Sequence, residues 1–164
     1  MKKLVVLFIG LFFMTSYAQE KQMFAKSFIN KKAPELYVKK WISEVPETKG
    51  KFVLVDFWAT WCGPCIQGIP DLNEYQKEFK EDLVIIGLSN QSKSKIKRFK
   101  KEQIEYFSGV DSKAKMAAEL KITGIPYCII INPEGIVVWE GNPKQPGFEM
   151  TYKVINKLIG DSKL

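Results

Sequence analysis

Phe52-Val53-Leu54-Val55-Asp56-Phe57-Trp58-Ala59-Thr60-Trp61-Cys62-Gly63-Pro64-Cys65 is the stretch on which the reading of this chain turns. Its first half is an almost unbroken β-prone run, the pattern of a strand buried on both faces. Its second half is a pair of cysteines three apart. A helical pattern follows to about Lys80, with Ile69, Leu72, Tyr75 and Phe79 at three- and four-residue spacing. Pro70 falls inside that pattern and predicts a kink. The cysteines therefore stand where a strand becomes a helix. Two sulfurs at i and i+3 on a first helical turn are close enough to bond. The helix N-terminus offers unpaired N–H groups and a partial positive charge, which stabilise a thiolate. Cys62, at the very end, is the expected nucleophile, and Cys65, one turn in, the shielded thiol that resolves a mixed disulfide. Pro64 suits the first turn, where its missing N–H is not needed.

Two structural readings of the pair compete with this one. Half of a zinc site would need two further ligands, and the chain offers only Cys128 and no histidine. A purely structural disulfide would close so short a loop that it contributes little.

Asp56 is the one carboxyl in a run of Val, Leu, Phe and Trp. A buried carboxylate is costly without a partner or a proton, so a raised pKa is expected unless the residue faces water at the strand end. Of the two tryptophans, Trp58 is expected to pack under the motif and Trp61 to form an exposed contact surface. Cys128, in the apolar run Pro126–Ile131, reads as core packing, with a reactive third thiol as the alternative.

Outward from the motif, 83–88 reads as a second buried strand, 92–101 as a helix and 104–110 as a short strand. A helix over 112–120 and a strand over 126–131 follow. Asn132-Pro133-Glu134-Gly135 makes a turn, 136–140 its hairpin partner, and 148–159 a last amphipathic helix capped by Gly160. Trp41, Ile42 and Val45 suggest a short packed element before Pro46. This order predicts an α/β fold, a central mixed β-sheet with helices on both faces.

The chain has 164 residues, room for one domain, and 46% of them are apolar, enough for a core. The absence of histidine excludes a Ser-His-Asp triad, a Cys-His dyad and any histidine-bearing zinc site. A c-type haem site is excluded because Ile66 follows Cys65. The net charge of +7 is spread among acids and apolar residues, so it reads as a solvated surface and not as a nucleic-acid site. No metal and no cofactor are expected.

Residues 1–18 read as a signal peptide: Lys2-Lys3, the apolar run Leu4–Met14, then Ser16 and Ala18 at the positions a signal peptidase inspects. The run is short of the ~20 residues of a spanning helix. Export to a periplasm follows, with an uncleaved membrane anchor as the alternative. Residues 19–32, polar and lysine-rich, read as a flexible lead-in to a domain over 33–164.

The motif Trp61-Cys62-Gly63-Pro64-Cys65 with its strand resembles a thioredoxin-superfamily active site, and Gly124-Ile125-Pro126 resembles that superfamily's cis-proline loop. The signal segment, the Ala33-Pro34 lead-in and Ile131-Asn132-Pro133-Glu134-Gly135 resemble the TlpA/ResA-like branch of exported thiol–disulfide oxidoreductases. The resemblance covers about residues 33–160. It implies a thioredoxin-like fold and a cis Pro126 lying against the cysteines. It also implies that Ile125 offers backbone hydrogen bonds to an extended substrate and that Asp56 moves the proton of the buried cysteine. Trp61, Gly63, Pro64, Ile125 and Pro126 are then the candidate substrate contacts. Two departures stand out. Gly68 replaces the acidic residue that ResA-type reductases carry three positions after the second cysteine, and the strand 83–88 lacks the lysine that thioredoxins place near the buried aspartate.

The function implied is reduction of partner-protein disulfides by Cys62–Cys65, recharged by a membrane electron donor, in a monomer. Cytochrome c maturation or general disulfide reduction are the tasks the family implies. The rivals are a disulfide oxidase or isomerase using the same cysteines, a thiol peroxidase, and a non-enzymatic binding module.

Overall fold

A computed structural model describes Lys21 and residues 23–162; the proposed signal peptide lies outside them. The strand expected from the motif, β2 (Phe52–Phe57), is buried along almost its whole length. It lies in parallel beside β3 (Leu83–Ser89), from Phe52 opposite Leu83 to Phe57 opposite Leu88. β3 is in turn parallel to β4 (Phe107–Val110). On its other side β2 runs antiparallel to β5 (Tyr127–Ile131), which forms a hairpin with β6 (Val137–Gly141). A two-residue strand, β1 (Lys40–Trp41), closes the far edge, giving the order β1-β4-β3-β2-β5-β6.

Alternation along the strands sorts side chains to two faces. Leu54, Leu83, Ile85 and Ile130 pack under α1 (Gly63–Glu78) and α4 (Tyr152–Asp161) through Ile69, Leu72, Ile155 and Ile159. Val55, Phe57, Leu88 and Ile129 meet Met116 and Leu120, at α3 (Lys115–Glu119) and its end, on the opposite face. The sheet is thus mixed, with helices on both faces. Each fully buried Leu or Ile contributes about 1.5–3 kcal/mol, so the two layers carry most of the stability.

Several local expectations are corrected. The stretch 19–32, read as flexible, is tied to the body from Phe24 on: Thr123 N–H donates to the Phe24 carbonyl, Lys26 N–H to Leu120, Asn30 N–H to Val137, and Phe28 N–H to the buried Glu140 carboxylate. Phe24, Phe28 and Ile29 cover the α3 face, and their burial outweighs the polar composition around them. The helix expected over 92–101 is the short α2 (Lys93–Lys97). The one expected from Ser112 begins only at Lys115, because the Asp111 carboxylate accepts from the N–H groups of Lys113 and Met116 and holds a turn there. Gly160 does not cap α4, which runs on to Asp161. Val45, expected to pack, is exposed, and the edge strand ends before it.

Candidate active site

α1 starts at Gly63 because Cys62 takes extended backbone angles and caps it: the Cys62 sulfur accepts from the Cys65 N–H at 3.3 Å. Pro64 occupies the first turn. A second turn, Cys62 N–H to Ala59 carbonyl, folds the approach. Gln91 clamps that approach from the end of β3, its amide oxygen accepting from Thr60 N–H at 2.7 Å and its amide nitrogen donating to the Thr60 hydroxyl. Cys62 and Cys65 are joined as a disulfide, and Cys128 is a free thiol.

The disulfide sits in a small apolar cluster of Trp58, Ala59, Ile96 and Val110, with Ile125 packed against it. Both cysteines are covered, at 3% and 4% exposure, so burial does not divide them into an outer nucleophile and a shielded partner. In the oxidised pair both sulfurs lie inside the same apolar ring. The asymmetry that remains is the capping hydrogen bond, made to Cys62 alone.

Pro126 is buried, follows a cis Ile125–Pro126 bond and stands immediately before β5. Trp61, at 69% exposure, Gly63 and Pro64 form an exposed rim, while Trp58 is buried as expected. Between Trp61 and the segment Ile122–Ile125 lies a groove of ≈ 440 Å³, floored by Phe57, Trp58 and Leu88. The structure thus brings together Cys62, Cys65, Trp61 and Ile125.

Asp56 is 3% exposed, on the face of β2 that α1 covers. Burial pushes its carboxyl up to about 7, and hydrogen bonds from Cys128 and Tyr106 partly offset the rise. Cys128 Sγ stands 3.4 Å from one carboxyl oxygen and Tyr106 Oη 3.4 Å from the other. Cys128 is therefore more than core filling: it is fully buried, directly opposite Asp56 in the β2–β5 register. Sequence reasoning missed Tyr106 and Gln91. Nothing in a tyrosine before a short strand, or in a glutamine after one, marks a contact made with a residue far along the chain. Among the described residues no group of three acidic, histidine or cysteine side chains is placed to hold a metal ion.

Comparison with known proteins agrees with this geometry. The model of the AhpC/TSA family matches residues 29–140. The thiol-disulfide oxidoreductase ResA of a Bacillus cereus strain is 31% identical over 123 residues, covering 73% of this chain and 70% of that protein. The thioredoxin-like protein YneN of Bacillus subtilis is 28% identical over 99 residues, and the match spans 58% of each protein. A thiol-disulfide isomerase from Corynebacterium glutamicum superposes with a TM-score of 0.63 at 19% identity, over 79% of this chain and 94% of that one, which shows a common fold. With a cystine at the head of α1 and a family match over most of the sheet, the chain belongs to the AhpC/TSA family and is a thioredoxin-like thiol–disulfide oxidoreductase.

Proposed function

We propose that this protein reduces disulfides of partner proteins outside the cytoplasm. The observation that carries the reading is the Cys62 sulfur capping α1 and accepting the Cys65 N–H. In the reduced protein that N–H and the helix dipole favour the Cys62 thiolate. The thiolate attacks one sulfur of a partner disulfide. A Cys62–partner bond forms, the partner S–S bond breaks, and one partner thiolate leaves. The Asp56 carboxylate takes the proton of the Cys65 thiol. Cys65 then attacks the Cys62 sulfur, the intramolecular disulfide forms, and the second partner thiolate is released. Two electrons have passed to the partner, and a donor dithiol must return two to Cys62–Cys65.

Several features support the substrate side. Trp61, Gly63 and Pro64 present an exposed rim beside the groove, and Ile125 stands at its wall ahead of Pro126. An extended segment lying there would pair with the Ile125 backbone as an added strand. Residues 1–18 serve as the export signal, with the periplasm as the destination and a membrane protein as the electron donor. No helix among the described residues is long and apolar enough to cross a membrane. The Gly63–Pro64 dipeptide resembles reducing thioredoxins, which supports the reductive direction proposed here.

The test is the redox equilibrium of Cys62–Cys65 in glutathione buffers. A potential near or below about −230 mV is expected of a reductant, and one above roughly −150 mV would make the protein an oxidase or isomerase.

A further inference from the structure

We propose that Cys128 and Tyr106 are positioning residues for the Asp56 carboxyl, each donating to one of its oxygens and together replacing the cation that a buried carboxylate ordinarily needs. The inference rests on the proton-transfer role proposed above for Asp56.

Three observations converge on it. Asp56 and Cys128 are directly opposite across the β2–β5 ladder, a pairing the register fixes, and Cys128 Sγ lies 3.4 Å from the Asp56 Oδ1. On the other flank of β2, Asp56 is paired with Gly87 of β3. A Cβ added at Gly87 would stand 2.9 Å from Tyr106 Cε2 and 3.1 Å from Trp58 Nε1. No lysine fits at that point of β3, because the Tyr106 ring occupies the space a side chain would fill. Tyr106 in turn reaches the Asp56 Oδ2 with its hydroxyl at 3.4 Å. The glycine and the tyrosine are thus one arrangement, and it delivers a neutral donor where β3 carries no charge.

Among the described residues, the side-chain hydrogen bonds that reach the carboxyl come from these two donors. β3 contributes no side chain at this point. The residues buried at the adjoining end of α1 are Cys65, Gly68 and Ile69, and Cys65 is bonded to Cys62. Cys128 is 0% exposed and Tyr106 3%. Burial and the neighbouring carboxylate push both the Cys128 thiol and the Tyr106 hydroxyl well above their ordinary values, so each keeps its hydrogen throughout the working pH range. Two neutral donors stabilise a carboxylate less than a lysine would. The result is a carboxyl able to both hold and release a proton near neutrality.

The experiment is a carbon-13 NMR titration of the Asp56 carboxyl in the oxidised full chain, for wild type, Cys128→Val, Cys128→Ser and Tyr106→Phe. The pH profile of the step in which Cys65 resolves a mixed disulfide with a small aromatic disulfide is measured alongside. Loss of a donor to the charged form raises the midpoint, so Cys128→Val and Tyr106→Phe should each titrate about one pH unit higher, and the resolution profile should move with them. Cys128→Ser, which keeps a donor, should return the midpoint toward wild type, a rescue that lost packing alone would not produce. An unmoved midpoint in Cys128→Val and Tyr106→Phe overturns the proposal. Where one of the two fails to fold, the other decides. If Asp56→Asn resolves mixed disulfides at the wild-type rate, the proton-transfer role of Asp56 falls, while the titration still decides whether the two donors act on the carboxyl.

Discussion

Replacing Asp56 by asparagine should stabilise the oxidised protein, by an amount that grows with pH. The carboxyl has an ordinary value of 3.8 and titrates at about 7 in the fold, mainly through burial. Below the lower value both folded and unfolded chains are protonated and the group contributes nothing. Between the two, the folded chain holds a proton the unfolded chain has lost, so stability falls as pH rises, by about 1.4 kcal/mol per unit. Above the upper value both are ionised, and the full cost of the buried charge is present, about 4 kcal/mol for the shift from 3.8 to about 7. Asparagine keeps the shape and carries no charge; its amide oxygen accepts from one of Cys128 and Tyr106, and its NH2 group donates to the other. Urea unfolding of wild type and Asp56→Asn from about pH 5 to about pH 8.5 should show a stability difference that widens by about 3 kcal/mol and flattens past about pH 7. A difference constant across that range would mean that the carboxyl is not desolvated in the fold. A difference that narrowed with pH would mean that a positively charged group holds it as a stabilised anion.

Gly87→Ala should cost about 1–3 kcal/mol, because its methyl would meet the Tyr106 ring at 2.9 Å; thermal unfolding measures it, and a neutral result would show that the ring can move aside. Trp61→Ala should leave stability within about 0.5 kcal/mol, since the ring is 69% exposed, while raising the KM for a protein disulfide more than for a small one. Phe28→Ala should destabilise by about 1–3 kcal/mol in urea unfolding, as a half-buried ring of the segment packed on the α3 face. Cys65→Ser should accumulate a covalent Cys62–partner adduct visible by non-reducing mass analysis, and Cys62→Ser should not; equal trapping by both would remove the asymmetry assigned to the capping hydrogen bond. The purified protein should not turn over hydrogen peroxide at a rate above that of free thiols, and rapid turnover would revive the peroxidase reading.

Much of the site was legible because its chemistry is local. A strand, two cysteines three apart and a helix start occupy one short stretch, and burial of Asp56 follows from its neighbours in β2. The sheet's mixed character was legible from helices between strands and a closing hairpin. What escaped depends on register and on contacts across the chain. Cys128 looked like any small apolar residue in a strand, and only the pairing of β5 against β2 places it on Asp56. Tyr106 reaches Asp56 from a segment with no periodicity of its own. The early segment was misread because lysines and glutamines outnumber Phe24, Phe28 and Ile29, although those three do the packing. The late start of α3 was invisible because Asp111, followed by Ala114 with a φ of 49°, favours a local turn over an earlier helix turn.

The anchoring of Phe24 limits how far this molecule would stand from whatever held the proposed leader, residues 1–18. The Phe24 carbonyl accepts from both the N–H and the hydroxyl of Thr123, and its ring lies 3.1 Å from where a Gly124 side chain would begin. Phe24 thus buttresses the segment that leads to Ile125, which packs against the disulfide cluster. From Ala18 to Phe24 an extended chain covers no more than about 20 Å. A leader left uncut would therefore act as a short leash, holding the mouth of the groove near the lipid surface and restricting clients to those that reach the membrane. A cut leader frees that mouth, but trimming by exopeptidases as far as Phe24 would strip the buttress and loosen the loop that meets the client.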